Sequence, residues 1–242
     1  MGRLGLSVPR YLSYLGDYRH FKKMAKAQDE RFSVTWGDHQ AMIHDKTSGH
    51  GFDAHYIYHT GWAARILNET RPQAHVDISS TLYFCSIVSA FVPVKFLEYR
   101  AAELYMDGLE SKQGDILSLP MPDGSVHSLS CMHVVEHIGL GRYGDRMDPK
   151  GDLKAIAELK RVMANGGDLL FVVPVGKPRI MYNAHRIYSF EQIRSYFADL
   201  EMVEFALIPD DQPKEGLIRD ADPNLVKQQR YGCGCFWFKK KK

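Results

Sequence analysis

The stretch Val126-His127-Ser128-Leu129-Ser130-Cys131-Met132, which runs straight into His133-Val134-Val135-Glu136-His137, decides how the chain is read. The first seven residues predict a buried strand, and the next five place two imidazoles and a carboxylate at its carboxyl end. Downstream, Leu153, Ile156, Leu159 and Val162 recur at helical spacing between Pro149 and Met163. Asn165-Gly166-Gly167 stops that helix, and Leu169-Leu170-Phe171-Val172-Val173 is a continuous apolar run, as in a strand covered on both faces. Strand, helix and strand in that order define a parallel crossover.

The same alternation extends upstream. Ala74 to Ile78 predicts a strand carrying Asp77 near its end, and Ser79-Ser80-Thr81 can cap a helix reaching about Ala90. After Pro93, Val94 to Glu98 predicts a second strand that again ends in an acid. A helix over Ala101 to Leu109 and a third short strand lead to Gly114-Asp115-Ile116. Leu119 to Ser125 is a turn-rich loop before the opening stretch. Later, Ser189 caps another helix, and strands fall near Met202 to Ile208 and Gly232 to Phe238, separated by a polar excursion from Pro209 to Arg230.

The expected fold class is therefore α/β, a doubly wound and mostly parallel seven-stranded sheet. Residues 1–70 read as an N-terminal helical extension with a helix over Thr60 to Glu69 capped by Thr60, and residues 71–242 as the α/β domain. In such sheets a ligand binds outside the carboxyl ends of the strands. Asp77, Glu98, Asp115 and His133 all fall there, which makes them one candidate site.

Composition narrows the classes. The 242 residues are 45% hydrophobic and 25% charged, with a formal net charge of +2. That balance gives no electrostatic case for nucleic acid, and the basic run Lys239 to Lys242 reads as a solvated tail. Four cysteines, two of them the pair Cys233 and Cys235 on one face of a strand, predict reduced thiols rather than a disulfide framework. No apolar run is long enough to span a membrane and Met1 to Arg10 lacks a signal-peptide core, so the expected location is cytoplasmic.

Three segments carry a resemblance. Gly114-Asp115-Ile116 followed by Leu119-Pro120-Met121-Pro122-Asp123-Gly124-Ser125 resembles the G-D-x-x-x-L-P-F-x-D-x-S segment of class I S-adenosylmethionine-dependent methyltransferases, which have a Rossmann-like fold. His133 to Ile138 resembles their V-L-E-H segment, and Leu159 to Gly167 their L-x-R-V-L-K-P-G-G. Tyr143-Gly144-Asp145 and Asn183 to Ser189 further resemble an uncharacterised methyltransferase-like family of bacteria and nematodes. One departure stands out. Where that superfamily carries D-x-G-x-G-x-G after the first strand, this chain has Asp77-Ile78-Ser79-Ser80-Thr81-Leu82-Tyr83, without glycine.

The resemblance implies S-adenosyl-L-methionine as cofactor. Glu98, with Tyr99 beside it, would take the ribose hydroxyls, and Asp115 the adenine amino group with Ile116 packed on the ring. Asp77, Ser79 and Ser80 would hold the amino acid part, with His133 at the floor. For catalysis His133 or His137 is a candidate base, since an imidazole titrates near pH 6.5. Alternatively His133, Glu136, His137 and His185 would bind a divalent metal that orients a diol. The acceptor side, around Arg179, Tyr182, Asn183 and His185-Arg186, suits a small or glycan-type acceptor, so O-methylation is the expected reaction. Two other readings stay open: a non-catalytic methyltransferase-like binding module with an altered cofactor loop, and a metal-dependent hydrolase using His133, Glu136 and His137, because H-x-x-E-H is also an inverted zinc-peptidase motif. The aromatic cluster Phe52 to Trp62 would either cover the site or pack the extension onto the sheet.

Overall fold

The computed structural model describes residues 4–28, 31–46, 48–49, 51–210 and 216–242. It divides into two compact units, Met1–Phe52 and Asp53–Lys242. In the first, α1 (Leu4–Gln28) is followed by irregular chain in which the Trp36 and His39 rings stack at 3.9 Å. Lys46 pairs with Asp17 at 2.7 Å across that unit.

The second unit opens with α2 (Ala54–Thr70), whose N-cap is Asp53. Asp53 accepts a hydrogen bond from the Tyr56 backbone, and Thr60, expected to cap, instead donates its hydroxyl to backbone carbonyls one turn back. The helix therefore starts two turns earlier than Thr60. Trp62, Ile66 and Leu67, spaced along one face, are all buried within this unit.

The remaining elements are β1 (His75–Ile78), α3 (Leu82–Val88), β2 (Val94–Glu98), β3 (Leu109–Gln113), β4 (Val126–Met132), α4 (Gly151–Val162), β5 (Met163–Val175), β6 (Arg179–Met181), β7 (His185–Ile187), α5 (Phe190–Tyr196), β8 (Glu201–Ile208) and β9 (Gly232–Lys239). Seven strands form one sheet in the order β3-β2-β1-β4-β5-β9-β8, and β6 pairs with β7 in a separate hairpin. Pairing is parallel from β3 to β5, and β9 runs antiparallel between β5 and β8. The doubly wound, mostly parallel, seven-stranded sheet expected from the sequence is present. Among the described residues no helix is long and apolar enough to cross a membrane.

Period-two alternation divides the core between the two sheet faces. On β5, Phe171 and Val173 join Leu159 of α4, Phe197 and Phe238 on one face. Leu170 and Val172 join Trp62 and Ile66 of α2 and Phe84 of α3 on the other. Each fully buried large side chain contributes about 1.5–3 kcal/mol by leaving water, so both helical layers are needed to hold the sheet.

The helix expected over Ala101 to Leu109 does not form. Residues 101–105 are irregular, Met106 bridges to Leu109, and β3 begins there. The reason is a tight turn at Gly108, whose φ of +74° suits glycine and whose Cα approaches so close that a Cβ would stand 2.6 Å from the Ser89 carbonyl oxygen. That approach brings β3 into register with β2.

Candidate active site

The strand order reverses between β1 and β4, which opens a crevice at their carboxyl ends. At the base of the crevice lies a buried polar chain. His75 stands 2.8 Å from the hydroxyls of both Ser128 and Ser130. Ser130 donates to one Asp77 oxygen, and the Ser80 backbone N–H donates to the other at 3.0 Å. Asp77 has no exposed surface. Burial pushes its carboxyl up to about 6, against the pull of those hydrogen bonds, and drives His75 down to about 3. Asp77 thus fixes the loop from beneath.

The loop itself resolves the missing glycine. Ser79 adopts φ +53°, the left-handed region that glycine normally fills. Its backbone N–H donates to the Leu97 carbonyl at 2.8 Å and its hydroxyl to the same oxygen at 3.0 Å. The Ser80 hydroxyl accepts from the Met132 backbone at 3.0 Å. Hydrogen bonds to β2 and β4 hold a turn that glycines would have adopted without them.

Above this loop is a cavity of about 530 Å³, lined by Ser79, Glu98, Tyr99, Asp115, Ile116 and His133, and on its far side by His137, Tyr143 and Arg146. Its volume falls within the range of about 300–1,000 Å³ usual for small-molecule sites. Glu98, at the end of β2, accepts the Tyr99 N–H at 2.8 Å with one oxygen. Asp115 accepts the Leu117 N–H at 2.8 Å, an Asx turn that sets the Ile116 backbone against the cavity wall. A shallower groove of about 610 Å³ runs along Leu104 to Ser111 at the β3 edge, away from all of these groups.

The stretch His133 to His137 is one turn of 3-10 helix, Val135–His137, preceded by His133 in a left-handed conformation at φ +58°. It is not the continuous helix that an H-x-x-E-H peptidase site requires, so the two histidines do not share a helix face. His133 is 9% exposed; its Nδ1 lies 2.8 Å from Glu136 Oε1 and its Nε2 3.4 Å from Cys233 Sγ. His137 Nδ1 lies 2.6 Å from the Ala184 carbonyl oxygen. A carbonyl only accepts, so Nδ1 of His137 carries a proton, and its Nε2 stands 3.8 Å from Glu136 Oε1.

His185, on β7, stacks on Tyr231 at 4.9 Å, and its Nε2 is buried without a hydrogen-bond partner. Burial lowers its basicity. Its neighbour Arg186 is 5% exposed and donates to the Ile138 carbonyl at 2.7 Å, so it anchors the stretch rather than facing an acceptor. The structure does not draw His133, Glu136, His137 and His185 into one ligand cluster. Among the described residues, the group whose ligand atoms all lie within 4.8 Å is His55, His133 and Cys233. Glu136 Oε1 stands 2.8 Å from His133 Nδ1 and 3.8 Å from His137 Nε2, while His133 turns its Nε2 to Cys233, so the expected four do not present their ligand atoms to one common point.

Four more residues gather around His133: His55 and His59, expected only as part of the Phe52 to Trp62 cluster, Cys233, expected only as a reduced thiol, and Tyr231, to which the sequence assigned no role. His55 and His59 are four apart on α2, hence on one face of it. His59 is fully buried, donates from Nδ1 to the His55 carbonyl at 2.6 Å and leaves Nε2 unpartnered. The His55 and His59 rings lie 5.4 and 5.2 Å from the His133 ring. Burial, with His133 nearby, takes His55 down to about 4. The H-x-x-x-H spacing was the available signal; nothing local pointed to Cys233.

Comparison with known proteins agrees with this architecture. Residues 123–215 match a family described as a Caenorhabditis protein of unknown function. None of the curated proteins matches the sequence. Among solved structures, the chain resembles 1,6-didemethyltoxoflavin-N1-methyltransferase of Burkholderia thailandensis, a complex with 1,6-didemethyltoxoflavin and S-adenosylhomocysteine. The TM-score is 0.54 at 11% identity, covering 76% of this chain and 79% of that one. It also resembles a protein proposed to be a sarcosine dimethylglycine methyltransferase from Galdieria sulphuraria, with a TM-score of 0.53 at 14% identity, covering 76% and 85%. The YcgJ protein of Bacillus subtilis aligns with a TM-score of 0.50 at 15% identity, covering 75% and 99%. The chain therefore has the Rossmann-like fold of class I methyltransferases.

Proposed function

We propose that this protein is an S-adenosylmethionine-dependent methyltransferase acting on an oxygen of a small or glycan-type acceptor. One observation carries the reading: Glu98, Asp115, Ile116 and the left-handed Ser79 face a single cavity at the carboxyl ends of β1, β2 and β3. The donor set fits the cofactor. The Glu98 carboxylate suits a vicinal diol, because it can accept from both hydroxyls. Asp115 suits an exocyclic amine, and Ile116 offers an apolar surface to an adenine ring. Ser79 supports close approach of the loop backbone, the task glycines perform elsewhere.

When bound, S-adenosylmethionine supplies an electrophilic methyl group on a sulfonium. This chain's own contribution is mostly alignment. His137 is the better-placed base of the two candidates, since Ala184 holds its Nδ1–H, the Glu136 carboxylate 3.8 Å from its Nε2 would favour the imidazolium, and the side chain lines the cavity. His133 turns Nε2 toward Cys233 and so serves as floor. The proton of an acceptor hydroxyl would pass to His137 Nε2 as the oxygen gains the methyl group. Tyr143 and Arg146, which line the same cavity, offer the acceptor an aromatic ring and a cation.

The reading is tested by methyl transfer from labelled S-adenosylmethionine to a panel of hydroxylated acceptors. His137→Ala should lower kcat by about 10²-fold or more while KM for the cofactor holds. Transfer unaffected by that change would remove His137 from the chemistry.

A further inference from the structure

Behind the cavity floor, three side chains from three distant elements converge: His55 from the first turn of α2, His133 from the end of β4 and Cys233 from the start of β9. We propose that they bind one zinc-type divalent ion, in a site that lies behind the cofactor cavity and shares His133 with it. Their ligand atoms all lie within 4.8 Å of one another, and the His133 Nε2 to Cys233 Sγ leg is 3.4 Å. A tetrahedral ion with Zn–N near 2.0–2.1 Å and Zn–S near 2.3 Å sets its nitrogen and sulfur ligands about 3.5 Å apart. That leg is already at bonding geometry, and since no leg exceeds 4.8 Å the widest needs to close by at most about 1.5 Å.

A thiol–imidazole hydrogen bond would account for the 3.4 Å contact alone. It does not account for the third donor, nor for what stands behind His133. Glu136, 1% exposed, holds His133 Nδ1 at 2.8 Å, which directs the Nε2 lone pair at Cys233. Carboxylate, imidazole and metal in that order is the usual support for a zinc histidine. Glu136 Oε2 is buried without a partner, and among the described residues the ion-pair contacts of the side chain, to His133 and His137, are both made by Oε1. A buried carboxylate without a fixed cation beside it is costly, and a dication on His133 would offset it. The unpartnered Nε2 of His59 adds another buried lone pair beside the group.

Two imidazoles and one thiolate form a borderline-soft set suited to zinc rather than magnesium or calcium. Binding exchanges the Cys233 S–H bond for an S–metal bond and releases the proton to solvent, with no change of oxidation state. Three protein ligands leave one tetrahedral position for water. The ion would tie the first turn of α2 to β4 and β9.

Cobalt(II) reports the site directly, because a thiolate ligand gives it a charge-transfer absorption. Titration of the full chain, freed of metal by chelator, should saturate at one ion per chain with that band present, and zinc should displace it. Cys233→Ala should abolish the band, His55→Ala should weaken binding at least tenfold, and Glu136→Gln should weaken it about 10–100-fold. His137→Ala and His185→Ala should leave the titration unchanged. No saturable uptake, a band that survives Cys233→Ala, or uptake lost in His185→Ala would overturn the site. If Cys233→Ala fails to fold by circular dichroism, the His55→Ala titration decides: a change under twofold rejects the proposal.

Discussion

His133 Nδ1 and Glu136 Oε1 lie 2.8 Å apart with both side chains buried. The pair orients the imidazole at the end of β4 and holds a non-glycine residue in a left-handed conformation. Glu136→Ala removes the acceptor and leaves a buried N–H unsatisfied, at a cost of about 1–3 kcal/mol. Urea denaturation of the variant should show that loss. A midpoint equal to that of the unaltered protein would mean that His133 finds its support elsewhere.

Ser79 provides a second test. Its left-handed backbone costs a side-chain-bearing residue about 1–2 kcal/mol, which the bonds to Leu97 offset. Ser79→Gly should therefore leave stability within about 1 kcal/mol and preserve cofactor binding. Ser79→Val, with a branched side chain and no hydroxyl, should lose both. Equal tolerance of glycine and valine would contradict the role assigned to this turn.

The buried pair His75 and Asp77 predicts a particular pH response. Asp77 rises from 3.8 to about 6 on folding, so the folded state holds that proton more tightly, and stability from this group falls as pH rises through that window. His75 drops from 6.5 to about 3, so stability from it is lost as pH falls from 6.5 toward 3. The two oppose each other in the overlap. Asp77→Asn should expose the His75 effect as a steeper loss on acidification. His75→Asn should expose the Asp77 effect as a gain between pH 6 and 4. Denaturant midpoints measured across that range check both, and parallel profiles for all three proteins would count against the two opposed shifts.

Much of the fold was legible in the residues. Val126–Met132 is a strand with the limits its pattern predicted, and Ser189 with Gln192 makes a capping box where the cap was expected. Apolar periodicity encodes which face is covered, so buried elements announce themselves. The misses have local causes. Gly108 forces a turn where composition suggested helix, and β6 and β7, three residues each, are too short for any periodicity. Of the site, the strand-end acids Glu98 and Asp115 could be found because strand ends are marked in sequence. Cys233 could not: the register of β9 against β5 brings it to His133, and register is a long-range property.

The proposed function requires that the cavity between Glu98 and His137 hold S-adenosylmethionine. Calorimetry with S-adenosylhomocysteine, in the presence of chelator, tests it most directly. Saturable binding at one molecule per chain is expected, weakened at least tenfold by Glu98→Ala and by Asp115→Ala in variants that keep the fold. No heat of binding for the unaltered protein, with either S-adenosylhomocysteine or S-adenosylmethionine, would contradict it.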